Sequence, residues 1–257
     1  MDNFHFLNVS IMVPVKSVGT FTKAVQAFLD SGGFMPYGWK LAAAYCTREP
    51  FQYSQQTITD LAAGSDIQFR LTEAVAANDT FHTFTNIWQY PNDNTHISLG
   101  DVMLASADNN YYTAVDDDVA SERQNFVMLL DGPGALLPNP RGAAGDTYLR
   151  LTRWVKGHQL AAYSFNTGAL VPYMQGQYGW RFVGTFQNVT GHLNTFQHVF
   201  KVGDPDQLPS IKADMEKNPL FQQIQDTIIA ETYDIFTIAG YWPTQPDAVV
   251  GGASKGA

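Results

Sequence analysis

The chain has 257 residues and a formal net charge of −9, with 15 Lys+Arg against 24 Asp+Glu. No Lys/Arg-rich block occurs, and phosphate binding needs clustered cations, so a nucleic-acid partner is excluded. Hydrophobic residues make up 45% and aromatics 13%, enough for a packed core, yet no apolar run approaches the roughly 18 residues of a membrane span.

Residues 4–15, FHFLNVSIMVPV, are rich in β-branched and aromatic types and predict a strand. No basic region precedes them, so they do not read as a signal peptide, and a cytoplasmic location is expected. Ser17 stands where it can cap a helix running to about Asp30, in which Phe21, Val25 and Phe28 recur at helical spacing. Ser31-Gly32-Gly33 ends it. A strand is predicted over 37–47. It holds Cys46, the single cysteine, which excludes an intrachain disulfide or a multi-cysteine metal site and reads as a buried thiol. Residues 51–79 are polar and irregular. Strand 80–90, TFHTFTNIWQY, is broken by Pro91-Asn92-Asp93-Asn94. A helical region follows over about 97–118, then a strand over 120–130.

The run DGPGALLPNPRGAAGD, residues 131–146, has three prolines and four glycines with little to pack, and reads as a linker. After it the order repeats: strand 147–155, helix at about 157–175, strands 178–187 and 193–202, and strand 229–240. Asp204 before Pro205 and Asn218 before Pro219 each mark a helix start. Each half therefore reads β-α-β-β-α-β, the split βαβ order. The expected fold is α+β: two fused ferredoxin-like repeats whose antiparallel sheets pack into an α/β barrel. The expected divisions are 1–131 for the first repeat with its inserted loop 51–79, 132–146 for the linker, 147–242 for the second repeat, and 243–257 for a disordered tail. PYGWKLAAAY, residues 36–45, returns as QYGWRFVGTF, residues 177–186, so that Trp39 matches Trp180. Asn86 and Trp88 match His198 and Phe200 in the same way.

The residues QYGWRFVGTF and GHLNTFQHVFKV, with ADMEKNPLF, resemble the NIPSNAP family of the dimeric α/β-barrel superfamily, over about 147–240. The first half resembles it through PYGWKLAAAY and FHTFTNIWQY and departs at 51–79. That superfamily includes cofactor-free monooxygenases, cyclases, isomerases and dehydratases, and haem proteins of the chlorite dismutase type. The resemblance implies an active cavity inside the barrel.

Alternation along 193–202 places Phe196, His198 and Phe200 on one strand face, matched by Phe84, Asn86 and Trp88 in the first half. If that face lines the barrel, His198 is a general acid or base, an axial haem ligand, or a core histidine. The opposite face, with Thr195, Gln197, Val199 and Lys201, is the other candidate lining. Glu231 shares a face with Tyr233 and matches Glu122 in the first half, so it is a candidate for a carboxylate pair or, with Tyr233, for holding a phenol or carbonyl. Of Arg150 and Arg153, which lie on opposite faces, one can meet an anionic substrate or a haem propionate. The candidate catalytic residues are His198, Glu231 and Tyr233. The candidate substrate contacts are His82, Asn86, Trp88, Phe196, Phe200 and Arg153. No metal pattern occurs, and the nucleotide-binding and serine-hydrolase signatures are missing. The expected function is a cofactor-independent enzyme that acts on a hydrophobic or aromatic small molecule. It would work by proton transfer, as a lyase or isomerase, or by oxygenation, as a monooxygenase. The alternatives are a haem protein and a non-catalytic binding or scaffold protein. Free sheet edges leave room for a homodimer.

Overall fold

The computed structural model describes residues 5–32, 39–50, 80–89, 115, 118–130, 145–190 and 193–241. The loop 51–79, the helical region up to residue 114, the linker up to residue 144 and the tail lie outside the described residues. The chain forms two compact units, one holding 7–124 with the segment from Ala239, the other holding 3–6 with Asn125–Ile238.

In the first unit, β1 (His5–Pro14) leads to α1 (Val18–Asp30), then β2 (Lys40–Thr47) and β3 (Phe81–Gln89). Strand β3 lies between β1 and β2. Helix α1 buries Phe21, Val25, Phe28 and Leu29, one stripe at helical spacing. Ser17 occupies the N-cap position, but its side chain makes no capping bond there. Strands β2 and β3 pair antiparallel, with Leu41 opposite Trp88 and Ala44 opposite Asn86. Phe21 packs against Phe84 at 4.9 Å between ring centres. The Tyr241 hydroxyl donates to Asn86 Oδ1 at 2.7 Å, so this buried amide has a partner.

The second unit contains β4 (Ser121–Leu130) from Asn125 onward, then β5 (Thr147–Val155), α2 (Leu160–Tyr178), β6 (Arg181–Asn188), β7 (Thr195–Val202), α3 (Leu208–Met215), α4 (Pro219–Gln225) and β8 (Ile228–Ile238). The strands lie in the order β8-β5-β7-β6-β4, with antiparallel pairing throughout. Within the repeat that is fourth, first, third, second, the sheet of a split βαβ. The expected caps are in place: the Asp204 side chain accepts from the N–H of Asp206, and the Asn218 side chain from that of Leu220. Helix α2 runs three residues past the predicted end. Gly179 stops it with a left-handed backbone, φ +65°, its N–H reaching the Gln175 carbonyl at 3.1 Å.

One sheet face of this unit is covered by the helices. Leu149, Val155, Phe196, Phe200 and Val202 pack there against Tyr163, Leu170, Val171 and Met174 of α2 and Phe221 and Ile224 of α4. Most of a helix's stability in a protein comes from packing its apolar face, so this contact is what holds α2. His198 lies on the same face. The first alternative for the barrel lining is thereby corrected: Phe196, His198 and Phe200 face the helices. The physical reason is that the two phenylalanines flanking His198 are what the helices need to bury. The opposite face carries Thr195, Gln197 and Val199, which are buried as well. There Arg150 pairs with Asp234 at 3.1 Å and Gln197 donates to Asn188 at 3.2 Å.

Candidate functional site

The site begins with register. In β7, His198 stands opposite Leu151 of β5 and Thr185 of β6. Phe182 stands opposite Phe200, and one extra residue between Phe182 and Gly184 bulges the strand. The bulge brings Thr185 onto the same face as Phe182, although the two are three apart. Thr185 Oγ1 then lies 2.7 Å from His198 Nδ1. From above, Tyr163 in the first turn of α2 places its hydroxyl in a short hydrogen bond with His198 Nε2. The Tyr163 ring also packs on Phe196 at 5.0 Å. Thr167 follows one turn later on the same stripe, with its hydroxyl buried beside the Tyr163 phenol.

These side chains wall a cavity of about 310 Å³ between α2 and the sheet, completed by Phe182, Val171 and Leu130. Its mouth passes the exposed Ser164 and Gly168. Pro172, inside α2, has no N–H to give the Gly168 carbonyl. The volume falls at the lower end of the range of small-molecule sites, and the mainly apolar wall with a few convergent polar groups is typical of them.

Behind Tyr163 lies a buried ion pair. Arg153 of β5 and Glu231 of β8 are direct cross-strand partners, with Nε to Oε2 at 2.6 Å and side-chain exposures of 1% and 9%. Gln225 of α4 reaches the other Glu231 oxygen at 3.4 Å. Burial disfavours the Arg153 charge, but Tyr163 and Glu231 outweigh it and hold the guanidinium protonated. Burial, then the Arg153 cation, pushes His198 well below its ordinary pKa, so the imidazole is neutral. Burial pushes the Tyr163 phenol up while the Arg153 cation pulls it back. The site is thus a neutral imidazole, hydrogen-bonded at both nitrogens by hydroxyls and backed by a charged guanidinium. Such an arrangement can pass a proton from one hydroxyl to the other through the imidazole in an apolar setting.

The candidates from sequence divide as follows. His198 and Phe196 line the cavity. Phe200 does not: it packs with Trp180 and Phe182, at 5.6 and 5.4 Å. Arg153 was expected to meet an anionic substrate, but its charge is engaged by Glu231 behind the wall. Glu231 was expected to face a second carboxylate, yet its charged partner is Arg153, because the β5–β8 register sets them opposite each other. Tyr233 also stands off the cavity. Lys212 sits over its ring at 4.6 Å, and burial, with Glu231 beside it, pushes the phenol up. His82, Asn86 and Trp88 belong to the other unit. His82 Nδ1 is 2.8 Å from the Thr47 carbonyl and donates to it; Trp88 is buried. Sequence reasoning missed Tyr163, Thr167 and Thr185. The stripe Tyr163, Thr167, Leu170, Val171, Met174 was the available signal, since it places two hydroxyls on an otherwise apolar helix face.

Haem, one expectation for His198, does not fit that residue, because hydroxyl groups occupy both ring nitrogens and leave no lone pair for iron. Among the described residues no group of three His, Cys, Asp or Glu side chains is placed to hold a metal ion. No described helix is long and apolar enough to cross a membrane.

No protein-family model matches the sequence, and no curated protein matches it. Solved structures do match. A chlorite dismutase-like structure shares 10% identity and a TM-score of 0.50, over 93% of this chain and 96% of its own. An anthrone oxidase-like protein shares 8% identity and a TM-score of 0.50, over 93% and 92%. The fold is that of the ferredoxin-like α/β-barrel proteins. NIPSNAP family structures are also among the neighbours. One from Agrobacterium tumefaciens covers 39% of this chain and 99% of its own, at 13% identity and a TM-score of 0.33.

Proposed function

We propose that this chain is a cofactor-independent enzyme acting on a small, flat, mainly apolar molecule held under α2, with His198 and Tyr163 moving the proton. One observation carries the reading. A neutral buried histidine, paired with a buried tyrosine, forms the wall of a cavity large enough for a ligand. A structural histidine needs its hydrogen bonds but needs no cavity beside them. Thr185 orients the ring, and Phe182 and Phe196 offer aromatic faces to a flat ligand. The reaction class is cyclisation, isomerisation or dehydration, or oxygenation if O2 enters the same space.

The test is to incubate the purified chain with bicyclic and tricyclic aromatic ketones and phenols, with and without O2, and to follow products by mass spectrometry. Turnover of any of them should fall by about 10²–10⁴ in His198→Ala and clearly in Tyr163→Phe. Unchanged turnover in His198→Ala refutes the role. A second reading, a binding protein that uses the same cavity without chemistry, is favoured if compounds bind and none is converted.

A further inference from the structure

The hydroxyl–imidazole–hydroxyl chain at this site has a direction, and its direction names the ligand. That holds where the cavity is a ligand site, as proposed above. Arginine carries donors and no acceptor. The Arg153 guanidinium stands beside the Tyr163 hydroxyl, so the phenol proton is turned away from that cation. The acceptor on the other side is His198 Nε2. A neutral imidazole has one N–H. With Nε2 accepting, that hydrogen is on Nδ1 and is given to Thr185 Oγ1 at 2.7 Å. The hydrogen of the Thr185 hydroxyl is then the one proton of the chain not committed to it, and Thr185 lines the cavity. The Thr167 hydroxyl, buried in the same wall, lies beside the Tyr163 phenol.

We infer that the site presents a hydroxyl donor, Thr185, to its ligand, and that the ligand is an aromatic ketone whose carbonyl oxygen accepts that proton. In the reactive step a nucleophile of the same ligand attacks the carbonyl carbon, and the oxygen, as it becomes an alkoxide, forms an O–H bond with the Thr185 proton. Nδ1 passes its hydrogen to Oγ1, and the Tyr163 hydroxyl passes its hydrogen to Nε2. The ligand gains one proton, and the negative charge comes to rest on the Tyr163 oxygen beside Arg153. No oxidant or reductant is consumed. Arg153 is in this scheme a positioning residue: it touches no substrate, fixes the direction of the chain and faces the charge that develops.

Two measurements on the full chain test this. Nitrogen-15 NMR of the imidazole should show His198 with Nδ1 protonated and Nε2 bare; the opposite tautomer overturns the direction. Calorimetry should show 1-tetralone binding about tenfold tighter than tetralin, the equivalent of one hydrogen bond, with the infrared carbonyl band of bound 1-tetralone moved to lower frequency. Thr185→Val should abolish the preference and the band shift, and Thr185→Ser should restore both. A preference that survives Thr185→Val overturns the assignment of Thr185 as donor. If neither compound binds, the ketone assignment falls together with the ligand reading of the cavity, while the direction of the chain is judged by the tautomer alone.

Discussion

Acid should unfold this protein earlier than carboxylate chemistry alone requires, and His198 is the reason. The folded imidazole is held neutral by burial and by Arg153, well below its ordinary pKa of 6.5. The unfolded imidazole is free to protonate. Above pH 6.5 neither state binds the proton, and the residue carries no pH-dependent penalty. As pH falls below 6.5, the unfolded state binds a proton that the folded state refuses, so stability drops with pH. The slope is about 1.36 kcal/mol per pH unit, and 1.5 units below 6.5 gives about 2 kcal/mol at pH 5.0. Most carboxylates are still ionised there. The groups facing the ring are the neutral Tyr163 and Thr185 hydroxyls and, behind Tyr163, the Arg153–Glu231 pair. The assay is urea unfolding at pH 7.5 and pH 5.0, on the wild type and on His198→Gln. The wild type should lose about 2 kcal/mol more than the variant between the two conditions. Equal losses refute the reasoning, as does an NMR titration of the folded protein in which His198 protonates near 6.5.

Glu231→Gln strands the Arg153 charge in the interior and should cost about 3–5 kcal/mol in urea unfolding, whereas replacing both members, Arg153→Met with Glu231→Leu, should come out near neutral; a small cost for the single variant would show that water reaches the guanidinium. Burial pushes the Cys46 thiol up to about 12 from 9.0. In the folded protein its thiolate fraction at pH 8 should be roughly a thousandth of that of a free thiol. Labelling by iodoacetamide should be correspondingly slow and recover in urea, and labelling of the folded chain at the free-cysteine rate would refute the burial argument.

The elements were readable because their signals are local. Asp204-Pro205 and Asn218-Pro219 mark helix starts by side chains that bond two residues away. Alternation placed Phe196, His198 and Phe200 on one face, and they share one. What alternation does not carry is which face the helices cover, since that depends on the apolar stripe of α2. That stripe is blurred in the sequence because Phe165 is 80% exposed on the outer side. Thr185 was hidden for a sharper reason. Odd spacing from Phe182 assigns it to the opposite face of a regular strand, and only the bulge reverses that. Arg153 and Glu231 were both singled out from sequence, yet their pairing across 78 residues is a property of the β5–β8 register.

That register has a further consequence. Arg150 and Arg153 are three apart on β5, and their acids, Glu231 and Asp234, are three apart on β8. The two pairs lie on opposite faces of the same two strands. Slide β8 by one or two positions and neither arginine finds a carboxylate opposite. Slide it by three and one pair re-forms, but an odd shift turns the side chains of the strand to the wrong face. The spacing works like the teeth of a key, cut so that both engage at one setting only. The register of the strand that joins the two ends of the repeat is thus specified by charge as well as by apolar alternation.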